Sequence, residues 1–203
     1  MNGHSPPLRA ALEQLWATMA ENYDLVPELE LDTVLARART GDPDEIAACL
    51  PRLVEALVDG ELSPMVAIEV VELLDANGGR DGLGLFDAWW IDVLQREPGE
   101  HPTGVAPEDV LGLVAHAEAP MVRWLQPWLE SLDGPPAVHL ATAIVDGFPA
   151  PTWAGRADER QQVMAWARTE TVINGLALIG ATHVDDDTMS RVLDVLILGG
   201  HDG

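Results

Sequence analysis

An imidazole and three carboxylates stand together in the segment HVDDD (183–187), and these residue types bind divalent metals. A metal ion needs ligands that converge on one point, whereas consecutive residues of a helix point in different directions. The three aspartates directly precede an apolar helical pattern, where carboxylates cap the first turn and complement the helix dipole. We therefore expect a helix cap here. His183 and Asp185 are the metal-ligand candidates, and no cofactor is predicted.

The segment DANGGRDGLGLFDAWW (75–90) begins with the acid and amide spacing of a calcium-binding loop. Arg80, however, occupies the position where such a loop needs glycine, and Phe86 replaces its bidentate glutamate. The segment also lacks the GxGxxG order of a dinucleotide-binding turn. The pattern predicts a corner between two helices instead: one ends at Asn77 and the two glycines that follow, and the next is anchored by Phe86 and Trp89.

Covalent catalysis has little support among the nucleophilic residues. The single cysteine, Cys49, is flanked by Ala48 and Leu50, as expected of a thiol packed in a core. No GxSxG motif occurs, and the lack of lysine excludes a P-loop, a protein-kinase site and a lysine Schiff base. The alternative hypothesis is therefore a metal-assisted enzyme, or a small-molecule binder, that uses Asp, Glu and His in a helical fold.

Tryptophan and arginine indicate a binding surface. Seven tryptophans accompany two phenylalanines and one tyrosine, and tryptophan with arginine is the composition of interface hot spots. Trp89 and Trp90 lie about 100° apart on a helix, so we expect one ring to face inward and the other to lie at a boundary. Two arginines four residues apart, Arg156 and Arg160, could clamp an anionic group of a partner. The predicted interaction residues are Trp90, Trp124, Trp128, Trp153, Arg156 and Arg160.

The chain is strongly acidic, with 34 acidic residues against 11 arginines and a formal net charge of −23. The acidic residues are spread along the sequence, so a nucleic-acid mimic is the least favoured hypothesis, and direct nucleic-acid binding is not expected. An acidic surface favours a basic protein partner. No apolar run has the length of a membrane span, no secretory leader is visible, and a single cysteine permits no intrachain disulfide. We therefore expect a cytoplasmic location.

Helix signals dominate the elements that must position these residues. Apolar residues recur at helical spacing, and signals such as Asp42-Pro43 and Ser63-Pro64 mark helix starts. Pro51 is expected to kink or divide the helix that follows Asp42-Pro43. We predict an all-α chain of about ten helices in antiparallel pairs. It forms one domain over residues 1–203, with a possible N-terminal helical subdomain over 1–60.

Helix pairs start near Pro64, Pro107, Pro136 and Arg168, and the last pair reads TETVINGLALIGA, a short acidic turn and DTMSRVLDVLIL. Over residues 63–198 this arrangement resembles a HEAT-like helical repeat. HEAT repeats stack antiparallel helix pairs into a solenoid whose concave face binds other macromolecules, so the resemblance implies an interaction scaffold. The same apolar residues would fit a compact helical bundle, and both architectures stay open. The predicted function is non-catalytic protein–protein interaction, as a scaffold or as an inhibitor or immunity-like protein.

Overall fold

The computed structural model of the chain describes residues 4–26, 29–98, 105–148 and 151–198. These residues form ten α-helices and two short 3-10 helices, and none of them belongs to a strand. The predicted all-α class with about ten helices is therefore confirmed, and a bundle and a solenoid are both compatible with it. Among these helices, none combines the length and the hydropathy that crossing a lipid bilayer would require.

The helices are short, apart from α4, and follow one another along the chain with brief connections. The 3-10 helices are Pro151–Trp153 and Gly180–Thr182. The α-helices are α1 (Pro6–Ala20), α2 (Leu31–Thr40), α3 (Pro43–Val58), α4 (Pro64–Leu94), α5 (Pro107–Val114), α6 (Val122–Glu130), α7 (Pro135–Asp146), α8 (Ala157–Ala167), α9 (Glu170–Leu178) and α10 (Asp186–Leu198).

Contacts along the chain divide it into two compact units. Unit 1 comprises Met1–Asp92, Pro102–Val105 and His116–Glu118. Unit 2 comprises Val93–His101, Ala106–Ala115 and Ala119–Gly203. This division does not test which parts of the chain fold independently. It therefore leaves open the predicted single domain over 1–203, the N-terminal subdomain over 1–60 and the helical-pair region over 63–198. They stay predictions.

In unit 1, α1 and α2 pack against α3. Helix α2 is not among the predicted helices, although Leu31, Val34, Leu35 and Ala38 have the i, i+3, i+4, i+7 spacing of an amphipathic helix; Val34 and Ala38 are its buried residues. The buried stripe of α1, in contrast, has the predicted helical spacing, with Leu8, Leu12, Leu15 and Met19.

Helix α3 begins with the capping box that its sequence predicts. The Asp42 carboxylate accepts hydrogen bonds from the backbone N–H groups of Asp44 and Glu45, at 3.1 and 3.0 Å. The Glu45 carboxylate accepts in return from the Asp42 N–H at 3.3 Å. Pro51 lies inside this helix, which continues from Pro43 to Val58, so the alternative that Pro51 divides it is wrong. The close burial of α3 offsets the backbone hydrogen bond that Pro51 cannot make.

Helix α4 contains the predicted corner without leaving helical conformation. A Cβ built on Gly82 would lie 3.2 Å from the carbonyl oxygen of Leu74. Residues eight apart on a straight α-helix are separated by about 12 Å along its axis, so α4 bends sharply between Leu74 and Gly82. The predicted helix end is wrong, because α4 runs from Pro64 to Leu94 and Gly78 has no left-handed φ.

In unit 2, α7 packs against α10, and α5 packs against the 3-10 helix Pro151–Trp153. Gly112 of α5 permits the second contact, because a Cβ at this position would meet the Thr152 side chain and lie 3.0 Å from Trp153 Nε1. The observed starts of α5, α7 and α9 lie within two residues of the predicted starts of helix pairs. These starts do not test the HEAT-like resemblance, which stays a prediction.

Candidate functional site

An acidic groove of about 260 Å³ lies on unit 1, beside the turn after α1, the last turns of α2 and the start of α3. Its lining contains three carboxylates, from Asp24, Asp44 and Glu45, against one guanidinium, from Arg37. Tyr23 adds an aromatic ring, and Asn22 and Ala48 complete the lining. We call this feature the acidic groove.

The turn after α1 is held in place by the last turn of that helix. The Tyr23 N–H donates to the Met19 carbonyl at 2.9 Å, and Asn22 Nδ2 donates to the Thr18 carbonyl at 2.9 Å. Asp24 follows directly on this fixed turn. On the other side of the groove, the capping box fixes the first turn of α3, which carries Asp44.

The charges of the acidic groove are unbalanced. Arg37, the cation among the described lining residues, is engaged by Glu45, with Arg37 Nη2 3.4 Å from Glu45 Oε1. Asp24 and Asp44 are exposed and form no ion pair with another described residue. The groove therefore presents two uncompensated carboxylates beside the half-buried Tyr23 ring. Carboxylates and an aromatic face together attract a cationic side chain.

The structure buries the four tryptophans that the sequence predicts as interaction residues. Their exposed fractions are 1% for Trp90, 0% for Trp124 and Trp128, and 6% for Trp153. Trp89 is also 1% exposed, so the expected difference between the tandem rings is wrong. The reason is that this part of α4 buries apolar residues on more than one face. A partner would have to displace packed neighbours to reach any of the four rings.

Trp128 has a structural role in the core of unit 2. Its indole Nε1 donates to the Pro136 carbonyl at 2.8 Å. Its ring meets Phe148 edge-on at 6.3 Å and lies 6.0 Å from the Trp166 ring. Trp166 is only half-buried. These contacts give Trp128 a packing role in unit 2, and its place in an interaction surface stays a prediction.

The predicted pair of arginines serves two separate neighbours. Arg156 Nη1 donates to Glu159 Oε1 at 3.2 Å, whereas Arg160 Nη2 donates to the Gly147 carbonyl at 2.6 Å. The groove that Arg160 lines also contains Arg168 and does not contain Arg156. The spacing of Arg156 and Arg160 does not predict this arrangement, because it depends on Gly147, the residue that follows α7.

Asp185 caps α10, as the sequence predicts. Its Oδ1 accepts from the Thr188 N–H at 2.9 Å, and this hydrogen bond holds the pKa of the Asp185 carboxyl below its ordinary value. His183, the other metal-ligand candidate, is exposed. Within the described ranges, no group of three or more His, Cys, Asp and Glu side chains is arranged to hold a metal ion.

Two histidine–carboxylate pairs in unit 1 have the composition of an acid–base dyad. Sequence spacing could not predict them, because their members are 55 and 44 residues apart. His4 Nε2 lies 2.7 Å from Asp59 Oδ1, and His116 Nδ1 lies 3.3 Å from Glu72 Oε1. Both imidazoles are buried, and neither pair lines the acidic groove. Cys49 is fully buried, and burial raises the pKa of its thiol, so the nucleophilic thiolate is disfavoured.

The acidic groove therefore combines accessible volume and exposed charge with a backbone that is held by hydrogen bonds on both sides. Comparisons of the chain with protein-family models, with curated proteins and with solved structures found no match.

Proposed function

We propose that the protein is a non-catalytic protein–protein interaction domain whose acidic surface binds a basic partner protein. The observation that supports this most directly is the acidic groove, in which Asp24 and Asp44 are exposed and Arg37 is already engaged by Glu45. A lysine or arginine of the partner would supply the missing positive charge. Arginine fits best, because its planar fork can bind a carboxylate through two hydrogen bonds while its face stacks on Tyr23.

The charge of unit 1 would guide such a partner toward the groove. The segments of unit 1 contain 19 acidic residues and 5 arginines, a net charge of −14. A field of this sign accelerates the encounter with a basic protein and repels the phosphates of a nucleic acid. The proposed partner is therefore a protein with a basic surface, and direct nucleic-acid binding is not proposed.

The form of the interaction is that of a scaffold or of an inhibitor or immunity-like protein, in the cytoplasm. A lone, buried free cysteine is compatible with a reducing compartment. Because recognition would rest on exposed charges, binding should weaken steeply with salt. Pairs of exposed charges contribute about 0.2–1 kcal/mol each, so loss of two such pairs should weaken binding by up to about thirtyfold.

Affinity capture from a lysate of the native host tests this proposal. The bait is the wild-type protein, beside the double variant Asp24→Asn, Asp44→Asn, which leaves the capping box of Asp42 and Glu45 intact. We expect at least one protein with a basic surface to bind the wild type, to elute with moderate salt and to be depleted on the variant.

The matched control is Asp186→Asn, Asp187→Asn, which removes the same two charges from exposed positions in the first turn of α10. It should retain the partner. Capture of the same proteins by the wild type and both double variants, with no sensitivity to salt, would contradict a role for the acidic groove.

A further inference from the structure

A second groove, on unit 2, has the opposite charge. It is an open groove with a volume of about 340 Å³, and one stripe of α8 forms most of its lining. Positions 157, 160, 161 and 164 follow one another at helical spacing on this stripe, and Arg168 is the residue directly after α8. We call it the arginine groove; its lining residues are Gly147, Ala157, Arg160, Gln161, Met164 and Arg168.

Among the described residues that line the groove there are two guanidinium groups and no carboxylate. This composition is unusual in a unit whose segments contain 15 acidic residues and 6 arginines. The two acidic residues of α8 do not line this groove: Glu159 pairs with Arg156 at 3.2 Å, and Asp158 lines a neighbouring groove that shares Gln161 with it. Arg168 is exposed and forms no ion pair with another described residue.

One side of the arginine groove, formed by Gly147 and Arg160, is held in position by contacts within the protein. Arg160 Nη2 donates to the Gly147 carbonyl at 2.6 Å, which uses one of the five N–H donors of the guanidinium. Gly147 has φ 74°, and the next residue, Phe148, has φ 51°, a left-handed conformation that is uncommon outside glycine. Phe148 is fully buried against Trp128, so the core of unit 2 holds this strained turn and, through it, Arg160.

We infer that the arginine groove binds a small organic carboxylate. Guanidinium groups bind carboxylates through paired, charge-assisted hydrogen bonds, and Gln161 adds a neutral donor. Met164 and Ala157 supply apolar contact for the carbon part of the ligand. The volume lies at the lower end of the range for small-molecule sites, about 300–1,000 Å³. A polyanion is disfavoured, because the net charge of −9 over unit 2 repels it.

The carboxylate has two sources, a free acid or the C-terminus of a peptide. Titrations followed by ¹H–¹⁵N NMR use glutarate for the first source, and an acetylated Ala-Ala-Leu peptide with a free C-terminus for the second. The amidated form of the same peptide and inorganic phosphate are the control ligands. Saturable shifts at Gly147, Gln161 and Arg168 with glutarate alone assign the free acid. Shifts with the free peptide and none with its amide assign a peptide terminus.

Arg168→Gln should weaken the binding by about tenfold or more, because hydrogen bonds to a charged group contribute about 1.5–3 kcal/mol. Arg191→Gln is the matched control, since it removes the same charge from an exposed position of α10 outside the groove. Three results would overturn the inference: no saturable shift at the groove with either carboxylate, equal binding by the two variants, or tighter binding of phosphate than of both carboxylates.

Discussion

The bend in α4 predicts different effects on stability when alanine replaces two nearby glycines, Gly82 and Gly84. A Cβ built on Gly84 would have no heavy atom within 4 Å, and the position is exposed. A Cβ built on Gly82 would lie 3.2 Å from the carbonyl oxygen of Leu74 and 3.3 Å from Leu74 Cγ. We therefore expect Gly84→Ala to stabilise the protein and Gly82→Ala to fail to do so.

The magnitudes come from helix propensity and from packing. Alanine in place of glycine inside a helix stabilises by about 0.8–1.0 kcal/mol, and both positions receive this gain. At Gly82 it is opposed by overpacking, which costs about 1–3 kcal/mol when a methyl group enters a filled space. The backbone oxygen of Leu74 cannot move away as a side chain could. Gly82→Ala should therefore be less stable than Gly84→Ala by about 1–3 kcal/mol.

Urea denaturation followed by tryptophan fluorescence and by circular dichroism at 222 nm measures both free energies of unfolding. Thermal melts give a second reading, at about 2–4 °C for each kcal/mol in a chain of this length. Equal stabilisation by both substitutions would refute the bend, because residues 74 and 82 of a straight helix are too far apart to touch.

Three further predictions concern unit 2. Gly112→Ala should destabilise the protein by about 1–2 kcal/mol, because the new methyl group would press on Thr152 and on Trp153 Nε1. A variant whose free energy of unfolding in urea equals or exceeds that of the wild type would contradict this. Burial lowers the pKa of His139, whose Nε2 donates to the Arg96 carbonyl at 2.8 Å. Below about pH 6.5 the unfolded chain therefore binds more protons than the folded protein. The free energy of unfolding should fall as the pH drops from about 6.5 through the lowered pKa. The loss between pH 7.5 and 5.5 should be smaller in His139→Gln, and identical pH profiles would oppose the assignment. Asp185→Ala should lower the melting temperature by removing the cap of α10, and Asp185→Ser should restore most of it; an unchanged melting temperature in the alanine variant would count against the cap.

Local signals in the sequence predict much of the helical framework. The capping box at Asp42, the cap at Asp185 and the helix starts at Pro64 and Pro107 are all decided by groups within four residues of one another. Helix α2 is missing from the predicted helices although Leu31, Val34, Leu35 and Ala38 have helical spacing, so the local signal was present there too.

Burial and pairing are harder to predict because they depend on distant segments. Trp90 looks like a boundary residue on an isolated helix, yet it is 1% exposed, as is Trp89, because this part of α4 is buried on more than one face. The acidic groove brings together Asp24 and Asp44, which are 20 positions apart. The His4–Asp59 pair joins residues 55 positions apart. No spacing rule relates the members of either pair. The acidic composition indicates the sign of a partner's charge, while the fold decides which carboxylates lack a counterion.

The most direct test of the proposed function is the affinity of the captured partner, measured by calorimetry at several salt concentrations. Three proteins are titrated with the same purified partner: the wild type, the double variant that carries both Asp24→Asn and Asp44→Asn, and the control that carries both Asp186→Asn and Asp187→Asn. We expect the groove variant to bind about twofold to thirtyfold more weakly than the wild type and to show a shallower salt dependence, with the control close to the wild type. Equal affinities and equal salt dependence for all three proteins would contradict the acidic groove as the binding site.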